Sequence, residues 1–245
     1  MKSLSFAARP DLVDPQLFGG KGNLSFRSLG PEDFAAWFAL RDVVITNLAD
    51  ADHYVRESDE ALFYALHSQP QGHCIGAFAG ESLVAYAMLR VPTQPDEDNL
   101  AQVGQLPSHL WQQAAHLASC MVHPNWRGDH LQVLLLRTRM ALALALGRPL
   151  CLAMVSLRNR ASRRNLMRQG LGVVWTGWID GLQRHIMAVQ LESAWQMPQP
   201  QEPFITVASD DFLQMQQLTQ RGYVGLQEVP LAQGWGLKFV RATMC

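Results

Sequence analysis

The sequence predicts a mixed α/β domain, with helices packed against a sheet, and three observations lead to this fold class. Residues 73–91 contain two runs of β-forming residues around a turn at Gly80, the pattern of a hairpin. Residues 114–169 alternate strand, helix, strand and helix patterns, which predicts a right-handed, mainly parallel crossover unit. Residues 173–191 repeat the hairpin pattern with a turn at Gly181. Together the three patterns indicate an α/β fold of the α+β kind.

The residues on either side of the first hairpin predict a strand, two helices and a long loop. Residues 24–29 alternate apolar and polar side chains, and Pro31 with the acids that follow it begins the first helix. Residues 59–68 have apolar side chains at helical spacing. The segment 92–113 is polar and too long for an ordinary connection, so we expect a functional or disordered loop.

Composition divides the chain into four segments. Residues 1–23 predict an N-terminal arm, residues 24–192 the main domain, and residues 193–203 a linker rich in proline and glutamine. Residues 204–245 predict a small α/β extension of a strand, a helix and a hairpin, which is marginal for independent folding. Its run 235–240 can add to an exposed sheet edge. We expect the extension to pack on the main domain or on a partner subunit, which leaves a homodimer open.

Composition also excludes several classes of function. The 245 residues carry a formal net charge of -1, so no basic surface for nucleic acid is predicted. The N-terminal residues lack a long apolar run, and the most apolar helix pattern is interrupted by Arg137 and Arg139. We therefore expect no membrane association, a cytoplasmic protein and a small-molecule or protein partner.

The most informative stretch is HLASCMVHPNWRGDHLQ, residues 116–132. An apolar strand pattern leads into a turn at Arg127-Gly128 and then into an apolar helix pattern. The first amide N–H groups of a helix lack internal partners and lie at the positive end of its dipole. A turn with glycine at this point predicts a site for a diphosphate.

These residues resemble the central motif of the GNAT acyl-coenzyme A N-acyltransferases, an L-x-x-x-x-V-x-P strand followed by a Q/R-x-x-G-x-G/A loop. Leu117, Val122, Pro124 and Arg127 match the motif, and Gly128 fits the loop at a position that the motif leaves open. His130 and Gln132 depart from the motif, because they stand where the family has small residues.

A second stretch, Asn159 to Leu171 in the sequence, is similar to the family's N-x-x-A/S-x-x-L-Y-x-x-x-G-F helix. Asn159, Ser162 and Gly170 match, whereas Asn165 and Leu166 stand in the leucine and tyrosine places. The two motifs follow one another in the family's order, at the family's distance.

The resemblance implies a GNAT fold: a central mixed, mostly antiparallel sheet with splayed central strands flanked by helices. It implies acetyl-CoA as cofactor and transfer of the acetyl group by direct attack of a primary amine of a small molecule or protein. By the same resemblance the backbone of Met121 and Val122 would pair with the pantetheine arm. The loop that would hold the diphosphate comprises Arg127, Gly128, Asp129, His130, Leu131 and Gln132, and the second motif would add Asn159 and Ser162.

Several of these residues have a structural alternative. Arg127 either binds phosphate or is a solvated turn residue. Asn159 is equally suited to cap the helix that follows it. Ser162 can hydrogen-bond within its own helix and have no role in binding. The arginines of this helix either form a solvated face or include one that meets the 3′-phosphate: Arg158, Arg160, Arg163, Arg164 and Arg168.

His116 is the candidate general base. It lies on the central strand where some family members carry a catalytic glutamate, and an imidazole can accept a proton near neutral pH. The alternative is a histidine that serves only the core. The family's usual general acid is a tyrosine, and Leu166 stands in its place. A protein of this fold that binds coenzyme A but has lost catalysis, or has become regulatory, is therefore the alternative function.

Overall fold

The computed structural model of the protein describes residues 24–55, 57, 59–68, 71–93, 96–192 and 204–241. The predicted N-terminal arm and the predicted linker lie outside the described residues. Among the described residues, those of Met1–Thr93 and Leu117–Leu146 form one compact unit. Those of Gln94–His116 and Gly147–Cys245 form the second unit.

The described residues form ten strands and six α-helices. In chain order the strands are β1 (Leu24–Ser28), β2 (Gly72–Ala79), β3 (Ser82–Arg90), β4 (Ala114–Val122), β5 (Leu150–Ser156), β6 (Gly172–Ile179), β7 (Leu182–Gln190), β8 (Ile205–Ala208), β9 (Tyr223–Pro230) and β10 (Trp235–Arg241). The helices are α1 (Phe34–Thr46), α2 (Glu60–His67), α3 (Leu100–Val103), α4 (Leu131–Ala145), α5 (Arg160–Met167) and α6 (Phe212–Gln220).

The first unit is built on strands β1, β2 and β3, which are antiparallel neighbours, with β4 next to β3. The hairpin predicted around Gly80 is confirmed. Helices α1 and α2 pack on this sheet through buried aromatic residues, because each has large apolar side chains at helical spacing. The core on this side contains Trp37, Leu40, Val44, Phe63, Tyr86, Met88 and Met121.

The second unit contains one parallel and several antiparallel pairs of strands. The first residues of β4, Ala114–His116, pair with β5 in parallel, as the crossover pattern predicts. The strands then follow the order β5-β7-β6-β9-β10-β8 with antiparallel neighbours. The predicted mixed, mostly antiparallel sheet flanked by helices is confirmed.

The parallel ladder between β4 and β5 is short. It joins Ala114 with Leu150 and ends where His116 meets Leu152, whereas β5 pairs with β7 from Leu150 to Ser156. Met154, beyond the end of the parallel ladder, is 41% exposed on an otherwise buried strand.

The C-terminal extension contributes β8, α6, β9 and β10 to the second unit. β9 lies beside β6, with Val173 opposite Gly225, and α6 contacts β6. A Cβ at Gly225 would lie 3.3 Å from the Cβ of Val173, so glycine permits this approach. The run 235–240, expected to add to a sheet edge, instead lies between β9 and β8, because β9 makes the junction with β6.

The long segment 92–113 differs from the sequence prediction. It contains helix α3 and a 3-10 helix at Ser108–Gln113, and Ala101 and Leu110 are buried in a core cluster. Asn99 begins α3 by accepting a hydrogen bond from the amide of Ala101 at 3.0 Å. Short helices with few apolar residues leave little periodic signal, so the sequence pattern resembled that of an unstructured loop.

Asn159 and Asp211 are the N-caps of α5 and α6, because each side chain accepts an amide of the first turn. Capping is one of the two roles that the sequence left open for Asn159. No helix among the described residues is long and apolar enough to span a membrane.

Candidate functional site

The predicted anion site is a continuous strand, turn and helix in the first unit. β4 ends at Val122, a turn of 3-10 helix covers Pro124–Trp126, and α4 begins at Leu131. The amide of His123 donates to the carbonyl of Val84 on β3 at 2.9 Å, which secures the end of β4. On this stretch lie the predicted site residues Met121, Val122, Arg127, Gly128, Asp129, His130, Leu131 and Gln132.

Two residues of the turn have a left-handed backbone. Gly128 has a φ of 91°, and a Cβ there would have no heavy atom within 4 Å. His130 has a φ of 57°, a region that favours glycine, and a residue with a Cβ adopts it at a cost of about 1–2 kcal/mol. The turn is therefore open above Gly128, and its backbone amides can approach a bound anion closely.

Helix α4 directs its N-terminus toward this turn. It is 15 residues long, and among the described residues the side chain of its N-cap, His130, accepts no hydrogen bond from the first turn. The amides of the first turn and the positive end of the helix dipole are thus oriented for a phosphate. Open space at Gly128 and an N-cap residue, His130, whose side chain accepts no amide of the first turn suit the diphosphate of coenzyme A.

The side chains of the stretch divide by burial. Met121 and Leu131 are 2% and 1% exposed, so these two residues can offer a ligand only their backbone groups. Arg127 is exposed, and its Nη1 donates to the carbonyl of Asn47 at 3.4 Å, a long hydrogen bond that a phosphate could replace. Val122, Asp129 and Gln132 are partly buried, and His130 is exposed.

His116 lies in the second unit and is 3% exposed. Its Nε2 accepts a hydrogen bond from the amide of Leu100 at 3.1 Å and lies 3.3 Å from Oδ1 of Asn99. A ring nitrogen that accepts a backbone amide has its lone pair engaged, which hinders it as a base. This environment favours the core alternative for His116.

Asn159 and Ser162 also lie in the second unit. Oδ1 of Asn159 accepts the amide of Ser162 at 3.0 Å, which is the capping role weighed from the sequence. The Nδ2 group of Asn159 takes no part in this cap. Leu166, on the same helix, is 5% exposed and packs in the core.

Two of the five arginines around α5 bind Glu228 of β9. Nε of Arg163 lies 2.9 Å from Oε1 of Glu228, and Nε of Arg160 lies 3.0 Å from Oε2. Arg163 is 1% exposed, and its Nη1 also donates to the carbonyl of Leu157 at 2.8 Å. Burial lowers the pKa of the Arg163 guanidinium, and the Glu228 carboxylate acts in the opposite direction. Arg160 and Arg163 are therefore structural residues rather than a solvated face.

Sequence analysis missed a polar cluster of the first unit that surrounds Ser119 on β4. Oγ of Ser119 lies 3.1 Å from Nε2 of His67 and 3.5 Å from the hydroxyl of Tyr54. No local pattern links His67 to Ser119, because the two residues are 52 positions apart and meet only in the folded chain.

Strand β4, the turn after it and helix α4 follow one another in the order that the resemblance to the GNAT N-acyltransferases implies. The chain belongs to the acetyltransferase (GNAT) family, whose profile matches residues 43–171. The family uses acetyl-CoA, and the protein is accordingly an acyltransferase.

Solved structures share the fold. An N-acetyltransferase from Staphylococcus aureus Mu50 is 17% identical, with a TM-score of 0.53, over 69% of this chain and 99% of the other. A putative acetyltransferase from Salmonella typhimurium, solved with its cofactor acetyl-CoA, is 19% identical, with a TM-score of 0.52, over 72% and 98%. A ribosomal-protein-alanine N-acetyltransferase from Brucella melitensis is 21% identical, with a TM-score of 0.51, over 68% and 99%. A search of curated protein sequences returned no significant match.

Proposed function

We propose that this protein transfers the acetyl group of acetyl-CoA to a primary amine of a small molecule or a protein, by direct attack of the amine. The observation that carries the proposal is the turn at residues 127–132, with its open left-handed backbone and the N-terminus of α4 behind it. Acetyl-CoA supplies an activated thioester carbonyl. The chain has to bind the donor, orient it and remove a proton from the amine.

The residues of the first unit are assigned to donor binding. The amides from Gly128 to Gln132 would hold the diphosphate, with Arg127 as a bidentate partner. Asp129 would contribute its amide only, since its carboxylate would repel phosphate. The backbone of Met121 and Val122 would pair with the pantetheine arm as an added strand does. The resemblance also implies a role in cofactor binding for Asn159 and Ser162, which belong to the second unit.

An amine acceptor agrees with the names of structural relatives. The relative from Brucella melitensis is named for acetylating alanine of a ribosomal protein, and another is named a putative phosphinothricin N-acetyltransferase. Both names describe acceptors with an amino group, one a protein and one a small molecule. At 21% and 18% identity the relatives share the fold alone, so the acceptor is proposed only as a primary amine.

The experiment measures coenzyme A release and binding in parallel. Purified protein is incubated with acetyl-CoA and a panel of alkyl amines, amino acids and peptides with free N-termini, and free thiol is followed. Calorimetry with coenzyme A measures binding. Binding with turnover of at least one amine class supports the proposal. Binding without turnover supports the alternative of a lapsed or regulatory protein, which the buried Leu166 motivates, and absence of both overturns the donor assignment.

A further inference from the structure

Five polar residues of the first unit form one connected group, which we call the Ser119 cluster. Its members are Arg41 of α1, Tyr54 and Glu57 before α2, His67 at the end of α2, and Ser119 of β4. Nη1 of Arg41 lies 3.1 Å from Oε2 of Glu57, and the hydroxyl of Tyr54 donates to Oε1 of Glu57 at 2.7 Å. The chain of contacts continues from Tyr54 to Ser119 and from Ser119 to His67.

The hydrogen bonds of His67 define its tautomer. Nδ1 lies 2.8 Å from the carbonyl oxygen of Phe63, which can only accept, so Nδ1 carries the hydrogen. In a neutral imidazole Nε2 is then an acceptor, and the hydroxyl of Ser119 donates to it across 3.1 Å. The imidazole is therefore arranged to take up a proton at Nε2, with Nδ1 already paired.

The two residues of this hydrogen-bonded pair differ in solvent exposure. His67 is 2% exposed and lies among the rings of Trp37, Phe63 and Tyr86. Ser119 is only partly buried, so its hydroxyl is the end of the pair nearer to a ligand. Beside His67, Nε1 of Trp37 and the hydroxyl of Tyr86 are buried and lack a hydrogen-bond partner among the described residues. Buried polar groups without a hydrogen-bond partner destabilise the fold. The cluster is therefore suited to bind a polar ligand or a water molecule.

The position of Ser119 on β4 connects the cluster to the donor. Ser119 precedes Met121 by two residues, so both side chains lie on the same face of the strand. Two residues of a strand span about 6.5 Å, which is within reach of a group bound along the backbone of Met121 and Val122. No other assigned role uses the hydroxyl of Ser119.

We propose that Ser119 and His67 form a proton relay for the acetyl transfer, a role that rests on the proposed function. Oγ of Ser119 accepts a proton from the attacking amine while its own proton passes to Nε2 of His67. The hydroxyl of Tyr54 donates to Glu57, so its hydrogen is not available to Ser119, and Oγ of Ser119 can accept a proton from the amine. Glu57 and Arg41 hold this arrangement as positioning residues.

The proton transfer balances without another reactant. The amine nitrogen becomes cationic and acidic as its new bond to carbon forms, and one of its N–H bonds breaks. An O–H bond forms at Ser119 as the original O–H bond breaks, and an N–H bond forms at Nε2 of His67. As the carbonyl re-forms, the carbon–sulfur bond of the thioester breaks and coenzyme A leaves as its thiolate. The imidazolium then returns its proton through Ser119 to this thiolate, which gives the free thiol and restores the starting state. Burial disfavours the imidazolium, but the negative charge of the Glu57 carboxylate stabilises it. The Phe63 carbonyl accepts a hydrogen bond from Nδ1 throughout.

The test compares Ser119→Ala, Ser119→Thr and His67→Gln with the full-length wild type. Acetyl transfer is measured with acetyl-CoA and the panel amine that the wild type acetylates fastest, from pH 5.5 to 9.5. Thr176→Val is the matched control, since Thr176 and His185 form a similar hydroxyl–imidazole pair at 2.9 Å between β6 and β7, with both residues fully buried. Thermal melting and coenzyme A affinity are recorded for each variant.

The relay predicts that Ser119→Ala lowers kcat at pH 7 by about 100-fold, as for loss of a general base, and leaves the affinity for coenzyme A within about threefold. The deficit should shrink as pH rises, because hydroxide takes over the proton. Ser119→Thr keeps the hydroxyl and should retain most of the activity. His67→Gln should resemble Ser119→Ala, and Thr176→Val should lower the melting temperature without changing the pH profile.

The acid limb of the wild-type profile is a further readout. Burial lowers the pKa of His67 from its ordinary value of 6.5, so activity should fall only below pH 6.5. The titratable or charged groups that face His67 are Arg41 of α1, Tyr54 and Glu57 before α2, and Tyr86 of β3. Ser119→Ala and His67→Gln should both remove this limb.

Two failures can be told apart. If the wild type acetylates no amine, the proposed function fails and the relay fails with it. If the wild type is active and folded Ser119→Ala and His67→Gln match its kcat and pH profile within threefold, only the relay is wrong, and the Ser119 cluster is structural.

Discussion

At the scale of single residues, the proposed donor site depends on the backbone of the turn at residues 127–132. Gly128 is left-handed and open above its α-carbon, and His130 is left-handed although it has a side chain. The family's preference for a small residue at the position of His130 thus has a backbone reason. The turn keeps its shape here because histidine tolerates this conformation better than β-branched residues do.

Gly128→Asp should weaken coenzyme A binding at least tenfold, because it places a carboxylate against the diphosphate. Calorimetry measures the affinity. Gly80→Asp is the matched control, since Gly80 also has a positive φ of 61° and open space around its Cβ position, in the hairpin turn of the same unit. If both folded variants bind coenzyme A with equal affinity, the turn is not part of the donor site.

His116→Ala should lower the free energy of unfolding by about 2–3 kcal/mol, because it removes buried volume and the acceptor of the Leu100 amide. Its kcat should stay within about threefold of the wild type. Urea unfolding and the turnover assay measure the two quantities, and His109→Ala, an exposed histidine of the same segment, is the control. A stable His116→Ala variant with kcat lowered 100-fold would restore His116 as the base.

At the scale of elements, helix α5 shows that a run of charged residues does not by itself predict a solvated face or a binding site. Its arginines resemble a solvated face or a phosphate site in the sequence. In the structure Arg163 is buried under Glu228, and the guanidinium of Arg160 lies 3.4 Å from the ring centroid of Trp235. A buried charge needs a partner, and the partner is on a strand of the C-terminal extension.

Glu228→Gln should destabilise the protein by about 3 kcal/mol, because it leaves the buried Arg163 without a countercharge. Glu192→Gln, an exposed glutamate, should change the free energy of unfolding by less than about 0.5 kcal/mol. Chemical denaturation measures both. The double variant Arg163→Met/Glu228→Leu should recover most of the loss, and a Glu228→Gln variant as stable as the wild type would show the pair to be dispensable.

At the scale of the whole molecule, the second unit combines the end of the main domain with the C-terminal extension. Leu157 shares an apolar cluster with residues of the extension, among them Phe212, Met215 and Phe239. The amide of Thr176 donates to the hydroxyl of Thr219 at 3.2 Å. Through these contacts the extension shares the core of the second unit.

A chain that ends at residue 195 should aggregate or change its association state, because β6 would lose β9 and α6 and expose apolar surface. Sedimentation and thermal melting detect the change. A chain that lacks only residues 242–245 is the control and should behave as the wild type. A shortened chain with unchanged association, melting temperature and activity would show the extension to be dispensable.

Local patterns were sufficient to predict most of the elements and the turn that suits a diphosphate. Runs of β-forming residues around a turn predicted both hairpins, and the strand, turn and helix of residues 116–132 were recognised because their residues are contiguous. Segment 92–113 was misread, since four residues of α3 are too few to show a period. The helix predicted at residues 59–68 is one residue shorter at each end, because Asp59 and Ser68 are its capping residues.

The sequence was enough to identify the family, the fold class and the turn that suits a diphosphate, because each depends on residues near one another in the chain. Only the tertiary structure decided which polar residues meet. In the folded chain the amide of Leu100 donates to His116, and Arg163 forms an ion pair with Glu228. Ser119 contacts His67, which is 52 positions away in the sequence. Burial and hydrogen-bond partners decide whether a histidine is a base or a core residue, and both arise from contacts distant in sequence that no local pattern encodes.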